Sequence, residues 1–179
     1  MSIARRYSGH FIHHETVVDY GHDVRIDVFT SITCKRLVLG DYVHIGSHCS
    51  ISGPGTVFIG NYSTLSHGVR IFTASDDYDG DYLAGAALPP EYTSPTVGNV
   101  FIGKSVVIGA NTIIMPGVKI CLYAAVGALS LVKHRIPPQE LWAGIPAKFI
   151  RKRQQGVVNF TKQLEENERA SANRETKVS

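Results

Sequence analysis

An all-β solenoid wound as a triangular prism is the fold class this sequence predicts, on three observations. Aliphatic residues return every six positions through Ile102, Ile108, Ile114, Ile120, Val126 and Val132. A helix repeats every 3.6 residues and a strand every two, so a strict six fits short strands turned at regular corners, with the anchors piled inside a coil. The same register runs upstream through Ile26, Ile32, Leu39, Ile45, Ile51, Ile59, Leu65 and Ile71. Third, its departures are confined to one step: one extra residue before Leu39, two before Ile59 and 25 before Ile102. Grouped in threes, the coils read 26/32/39, 45/51/59, 65/71/102 and 108/114/120, with 126/132 opening a fifth, and every insertion falls between the second and third anchors. Stacking permits loops on one edge, because an insertion elsewhere would part neighbouring rungs.

Each element follows from that register. Thr112, Val118, Ala124 and Ser130 stand two places before anchors and fit as small or β-branched inward residues, while Gly103, Gly109 and Gly127 follow anchors at corners. A buried Ile or Val contributes roughly 1.5–3 kcal/mol, and stacking supplies that burial rung by rung. The long insertion, residues 73–99, predicts one extruded loop. Residues 1–153 form the expected solenoid domain. In residues 154–179, Val157, Phe160 and Leu164 are spaced for a short amphipathic helix capping the last coil, and the tail from about 169 lacks apolar anchors and is expected to fray.

Composition excludes several functions. Hydrophobic content is 44%, and no apolar run approaches the roughly 20 residues that cross a bilayer. The segment Met1–His10 lacks the apolar core of a secretory leader. A net charge of +3 is too mild for a nucleic-acid binder. Cys34, Cys49 and Cys121 are odd in number and without CxxC spacing, which predicts free thiols and a cytoplasmic protein; Cys121, beside Ile120, reads as a small packing residue.

Three segments carry a resemblance. Val107-Ile-Gly-Ala-Asn-Thr-Ile-Ile-Met-Pro-Gly-Val, Val126-Gly-Ala-Leu-Ser-Leu-Val-Lys and above all Ala143-Gly-Ile-Pro-Ala-Lys-Phe-Ile-Arg resemble the hexapeptide-repeat acyltransferases, in particular the maltose/galactoside acetyltransferase branch, over about residues 17–153. The resemblance implies a left-handed parallel β-helix, a homotrimer, and acetyl-CoA as acyl donor. It implies that Ala110 and Ala128, small residues after glycine, present backbone amides to the pantetheine arm. It places Lys133 and His134 where the family usually has Thr-Lys, and Lys148 and Arg151 where two cations reach the nucleotide phosphates, with Lys152 and Arg153 assisting. Charge-assisted contacts to phosphate are the stronger hydrogen bonds. Trp142 either stacks on adenine or caps the prism.

The inserted loop is where the sequence departs from that branch. Where the branch has its catalytic histidine, in a Thr-x-His-Pro context, this chain reads Thr73-Ala-Ser-Asp76-Asp77. The Ser-Asp-Asp-Tyr-x-Gly run is similar to relatives that acetylate the amine of a nucleotide-linked amino sugar, such as viosamine acetyltransferases. A sugar hydroxyl needs a base of pKa near 7, which histidine supplies; a neutral amine is already nucleophilic and needs orientation and a proton acceptor. Asp76 is the first candidate catalytic residue and His67 the second. Asp77 is a third, although Asp77 and Asp79 also fit as loop-ordering residues. Gly109 and Ala110 are candidate amide donors to the thioester oxygen.

No metal is expected. Asp77-Tyr-Asp-Gly-Asp has the wrong spacing for a calcium loop. His44, His48 and His67 invite comparison with the zinc site of γ-class carbonic anhydrases, but a coil of 20 residues between Ile45 and Leu65 offsets His48 from His67 by one place. The expectation is an acetyl-CoA-dependent N-acetyltransferase of a nucleotide-activated amino sugar serving surface-polysaccharide synthesis, binding neither nucleic acid nor membrane. The alternative is sugar O-acetylation of the maltose/galactoside type, and more remotely a γ-type hydratase or a non-catalytic solenoid.

Overall fold

The computed structural model describes residues 5–6 and 9–175. It is a parallel β-solenoid of about seven turns followed by a single helix. Three columns of anchors run its length. On face 1, Ile26, Ile45, Leu65, Ile108, Val126 and Trp142 stack in register. On face 2 the column is Ile12, Ile32, Ile51, Ile71, Ile114 and Val132. On face 3 it is Tyr20, Leu39, Ile59, Ile102, Ile120 and Ile136. Every anchor of the six-residue register is 3% exposed or less. Thr112, Val118, Ala124 and Ser130, two places earlier, are buried as well.

One coil precedes those expected. Arg5–Arg6 pairs with Arg25–Ile26, Phe11–Ile12 with Ser31–Ile32, and Val17–Tyr20 with the strand Ser31–Leu39. The sequence hides this coil because its face-1 position is an arginine and Ile12 and Tyr20 lie eight apart. That spacing again places two extra residues between faces 2 and 3.

The edges differ in construction. Phe29, His48, Gly68, Asn111 and Leu129 turn edge 1–2 with positive φ, and Asp23, Tyr42, Tyr62, Ser105, Tyr123 and Gln139 turn edge 3–1 in the same way. A left-handed non-glycine residue costs roughly 1–2 kcal/mol, which the stacked ladders on both sides impose. Edge 2–3 takes all the insertions. From it the loop leaves through a short antiparallel pair, Ala74–Ser75 with Thr96–Val97.

At the C-terminal end Glu140–Gly144 lies on Ala125–Val126, turns at the cis Ile145–Pro146 bond and returns antiparallel as Ala147–Lys152. Trp142 thus continues the face-1 column and closes the prism. The helix α1 (Gly156–Glu175) departs from expectation in three ways. It has 20 residues, it continues past position 169, and it runs back down edge 3–1 instead of capping the last coil. Thr161 Oγ1 lies 2.7 Å from Ser105 Oγ, Glu165 bonds Lys104 Nζ at 2.7 Å, and Glu168 accepts from Tyr62 Oη at 2.6 Å. The face expected inside is only partly covered: Val157 is half-buried while Phe160 and Leu164 are 73% and 40% exposed, whereas Val158 and Thr161 are buried. Docking through polar groups, which an apolar pattern does not register, is the reason. Among the described residues no helix is long and apolar enough to cross a membrane.

Candidate active site

Edge 1–2 carries a vertical column, one residue per coil: Ser47, His67, Ala110 and Ala128. The amides of Gly68, Asn111 and Leu129 donate to the carbonyls of Ser47, His67 and Ala110, each at 2.9 Å. Six-residue spacing sets this alignment, since each member stands two places after a face-1 anchor. Gly109 keeps the rungs close: a Cβ there would lie 2.3 Å from the Ala128 nitrogen. The Gly109 amide is already committed to Val126 O at 2.8 Å, so its contribution is clearance. The amides of Ala110 and Ala128 donate to no protein acceptor among the described residues. Their methyl groups leave the edge shallow. Together they give the edge two free donors one rung apart, one wall of a candidate slot.

His67 stands directly beneath Ala110, exposed at the same edge. Its Nδ1 accepts from the Ser47 amide at 3.2 Å and lies 2.9 Å from Ser47 Oγ. An Nδ1 that accepts from a backbone N–H leaves the neutral ring's proton on Nε2. The outer nitrogen is therefore a hydrogen-bond donor.

Lower on the edge is a group the sequence reading passed over. Asp27 Oδ1 accepts from Arg25 Nε at 2.7 Å and its Oδ2 pairs with His44 Nε2 at 2.9 Å. Burial pushes the carboxyl up, but the hydrogen bonds and charge from His44 and Arg25 outweigh it and hold the pKa below its ordinary value. The i, i+2 spacing of Arg25 and Asp27 was a usable signal, because alternate strand residues share a face.

The loop candidates begin at the other end of face 2. From His67 to Thr73 is six residues, about 20 Å at strand rise. Asp76 is exposed just beyond that point. Asp77 Oδ1 and Oδ2 accept from the amides of Asp79 and Tyr82, both at 2.8 Å, and those bonds lower its pKa. Both of its oxygens are thus engaged in holding the loop. Lys133 and His134 lie exposed on the same edge as the loop root, Lys133 just past Val132 at the top of face 2.

The basic cluster divides by partner. Lys148 pairs in register with Ala143 and Arg151 with Leu141, both side chains exposed and without an ion pair among the described residues. Lys152 Nζ is 2.6 Å from Glu140 Oε1, while Glu140 Oε2 accepts from Trp142 Nε1 at 2.8 Å. These two bonds hold the Glu140 carboxyl below its ordinary pKa. Arg153 donates to the carbonyls of Tyr123, Ala124 and Ser105 at 2.8, 3.0 and 3.3 Å, tying the cap to edge 3–1. Within this cluster Lys148 and Arg151 remain exposed without a carboxylate partner among the described residues, Arg151 with one 3.4 Å hydrogen bond to the Lys152 carbonyl. His44, His48 and His67 do not converge: His44 binds Asp27, His48 stacks on Phe29 at 5.0 Å, and His67 binds Ser47.

A rigid β-edge with aligned free amides and cations at one end has relatives of known kind. The chain is 39% identical over 145 residues, 80% of its length and 76% of the relative's, to a dTDP-4-amino-4,6-dideoxy-D-glucose acyltransferase of Escherichia coli. The chain belongs to the hexapeptide-repeat acyltransferases. No protein-family model matches the sequence. Within the family, a variant of the N-acyltransferase AntD from Bacillus cereus, solved with dTDP and coenzyme A, superposes with a TM-score of 0.86 at 28% identity over 90% of this chain and 87% of AntD. A maltose O-acetyltransferase from Clostridium difficile 630 superposes at 0.57 and 26% identity, over 76% of this chain and 70% of that one.

Proposed function

We propose that this protein is an acyl-CoA-dependent N-acyltransferase, using acetyl-CoA and acting on the amine of a nucleotide-linked amino-deoxy sugar. The observation that carries the acyl-CoA part is the pair of unpaired amides at Ala110 and Ala128 on a glycine-cleared edge, with Lys148 and Arg151 at its C-terminal end. The pantetheine arm, a chain of two amides, pairs with such donors, and the nucleotide phosphates reach the cations. The amine preference rests on Asp76 standing where a histidine would serve a hydroxyl, and on the 39% identity to an amino-sugar acyltransferase. Surface-polysaccharide synthesis is the process such a sugar would feed.

In this reading Asp76 receives the sugar ammonium and takes one proton as the neutral amine approaches. The nitrogen lone pair attacks the thioester carbonyl, a C–N bond forms, and the oxygen takes the negative charge. In this reading His67 Nε2–H donates to that oxygen, the Ala110 amide being engaged by the pantetheine arm. Collapse breaks the C–S bond, and the nitrogen's second proton leaves with the thiolate as free coenzyme A. Asp77 organises the loop.

Asp76 and His67 belong to opposite edges, which favours a homotrimer in which one copy's loop edge meets its neighbour's slot edge. Face 3 offers an apolar stripe for association, with the Phe58 and Phe101 rings parallel at 4.8 Å. Buried free thiols at Cys34, Cys49 and Cys121 suit a reducing cytoplasm. Thiol release from acetyl-CoA tests the reading: dTDP-4-amino-4,6-dideoxyglucose is turned over and maltose or a galactoside is not. Turnover of the hexoses with inert amines would establish O-acetylation instead.

A further inference from the structure

The insertions on edge 2–3 occur in every one of the first four coils and lie away from the edge that carries Ala110 and Ala128. In the first three they open a groove of about 460 Å³ whose lining includes His13, Glu15, Thr33, Lys35, Gly53 and Pro54. That volume falls within the roughly 300–1,000 Å³ of small-molecule sites.

Its construction is specific. Lys35 is the single extra residue of its coil: the ladder to the next strand shifts register between Cys34 and Arg36, leaving Lys35 outside it. Two residues of that next strand, Pro54 and Gly55, stand opposite Lys35 alone, so the bulge belongs to the strand that floors the groove and Lys35 is left unpaired across from it. Lys35 is exposed and makes no ion pair among the described residues, whereas its neighbour Arg36 is held by Asp19 at 2.7 Å. His13 Nδ1 accepts from the Glu15 amide at 3.4 Å, so its neutral ring presents Nε2–H. Glu15, the one carboxylate of the lining, lies 3.8 Å from His14 Nε2. Gly53, at φ +103°, would place a Cβ 2.5 Å from Thr73 Oγ1, and the Gly55 amide donates to that hydroxyl at 2.9 Å. The floor of the groove is thereby fused to the residue from which the Asp76 loop departs.

We propose that this groove is a diphosphate subsite for the nucleotide of the acceptor, with Lys35 as its principal cation, His13 and Thr33 as donors, and the attached sugar directed along edge 2–3 toward Asp76. The inference rests on the reading of the protein as a nucleotide-sugar acyltransferase. A pyrophosphate also occurs in coenzyme A, so the two sources must be separated. The separation of Lys35 from Lys148 and Arg151, at opposite ends of the solenoid, assigns the acceptor to Lys35.

Calorimetry on the full chain with dTDP, thymidine and coenzyme A as separate titrants decides it without any turnover. Wild type binds dTDP, and thymidine at least tenfold more weakly. Lys35→Ala weakens dTDP roughly tenfold or more, the scale of a lost hydrogen bond to a charged group, and leaves coenzyme A unchanged. Lys35→Arg restores most of the loss, and circular dichroism shows both variants folded. An unaltered dTDP affinity in Lys35→Ala, a loss of coenzyme A affinity instead, or no dTDP binding by wild type would each overturn the assignment. Failure to acylate an amino sugar while dTDP binding still depends on Lys35 would count against the proposed reaction and leave this subsite standing.

Discussion

Replacing Ile114 by alanine, with Ile113→Ala as its partner experiment, separates the register from mere hydrophobicity. Ile114 is fully buried and stacks between Ile71 and Val132, while Ile113, one residue earlier, faces outward and is half-buried. The change removes the equivalent of about three methylenes, or ~2.4 kcal/mol at ~0.8 each. The rungs cannot collapse into the void because ladders on both sides hold them about 4.8 Å apart. The cavity penalty is therefore retained in large part, and the total should be about 3–4 kcal/mol, within the range measured for such truncations. At this chain length that lowers Tm by roughly 6–16 °C. Ile113→Ala should cost under about 1 kcal/mol. Urea unfolding followed by circular dichroism and by the single tryptophan, Trp142, at one fixed protein concentration reads both values and tests whether the coils unfold together. An Ile113→Ala variant as destabilised as Ile114→Ala would refute the inward assignment.

Further variants address the site and the pH dependence. Ala128→Leu should raise the KM for acetyl-CoA about tenfold, since a branched side chain obstructs the slot; an unchanged KM would place the arm elsewhere. Arg151→Ala should weaken coenzyme A binding several-fold by calorimetry, whereas Lys152→Ala, whose ammonium is engaged by Glu140, should weaken it less. Asp76→Asn and His67→Ala should each lower kcat at least tenfold, the first by removing the proton acceptor and the second by removing the Nε2–H donor to the oxyanion; if neither falls tenfold, catalysis works by positioning. The Asp27 pKa is depressed in the folded protein, so its stabilisation is present above the unfolded value of about 4 and is lost as pH falls through the folded value. Asp27→Asn should flatten urea midpoints across that acid window, and an unchanged slope would remove Asp27 as the cause.

Most of the solenoid was legible because stacking makes every rung repeat the same demand. Ile102 through Val132 announce it by spacing alone, and the uneven steps before Leu39, Ile59 and Ile102 even locate the insertion edge. The first coil was not legible, because Ile12 and Tyr20 stand eight apart and an arginine replaces the aliphatic anchor. The helix misled for a different reason. Phe160 and Leu164 look like its buried face, but α1 docks through Thr161, Glu165 and Glu168, residues that read as solvated until their partners Ser105, Lys104 and Tyr62 are brought near by the coil. The positions of Ala110 and Ala128 followed from the register, yet their free amides did not. Nor could spacing reveal that Glu140 engages Lys152 or that Arg153 is bound to three carbonyls, since those partners are set by the turn back at Ile145–Pro146.

Crystals grown with coenzyme A test the central claim most directly. The pantetheine amides should lie along edge 1–2 within hydrogen-bonding distance of the Ala110 and Ala128 nitrogens, with phosphates at Lys148 and Arg151 and the sulfur near His67. Density for coenzyme A across face 3, or in the groove at Lys35, would contradict it.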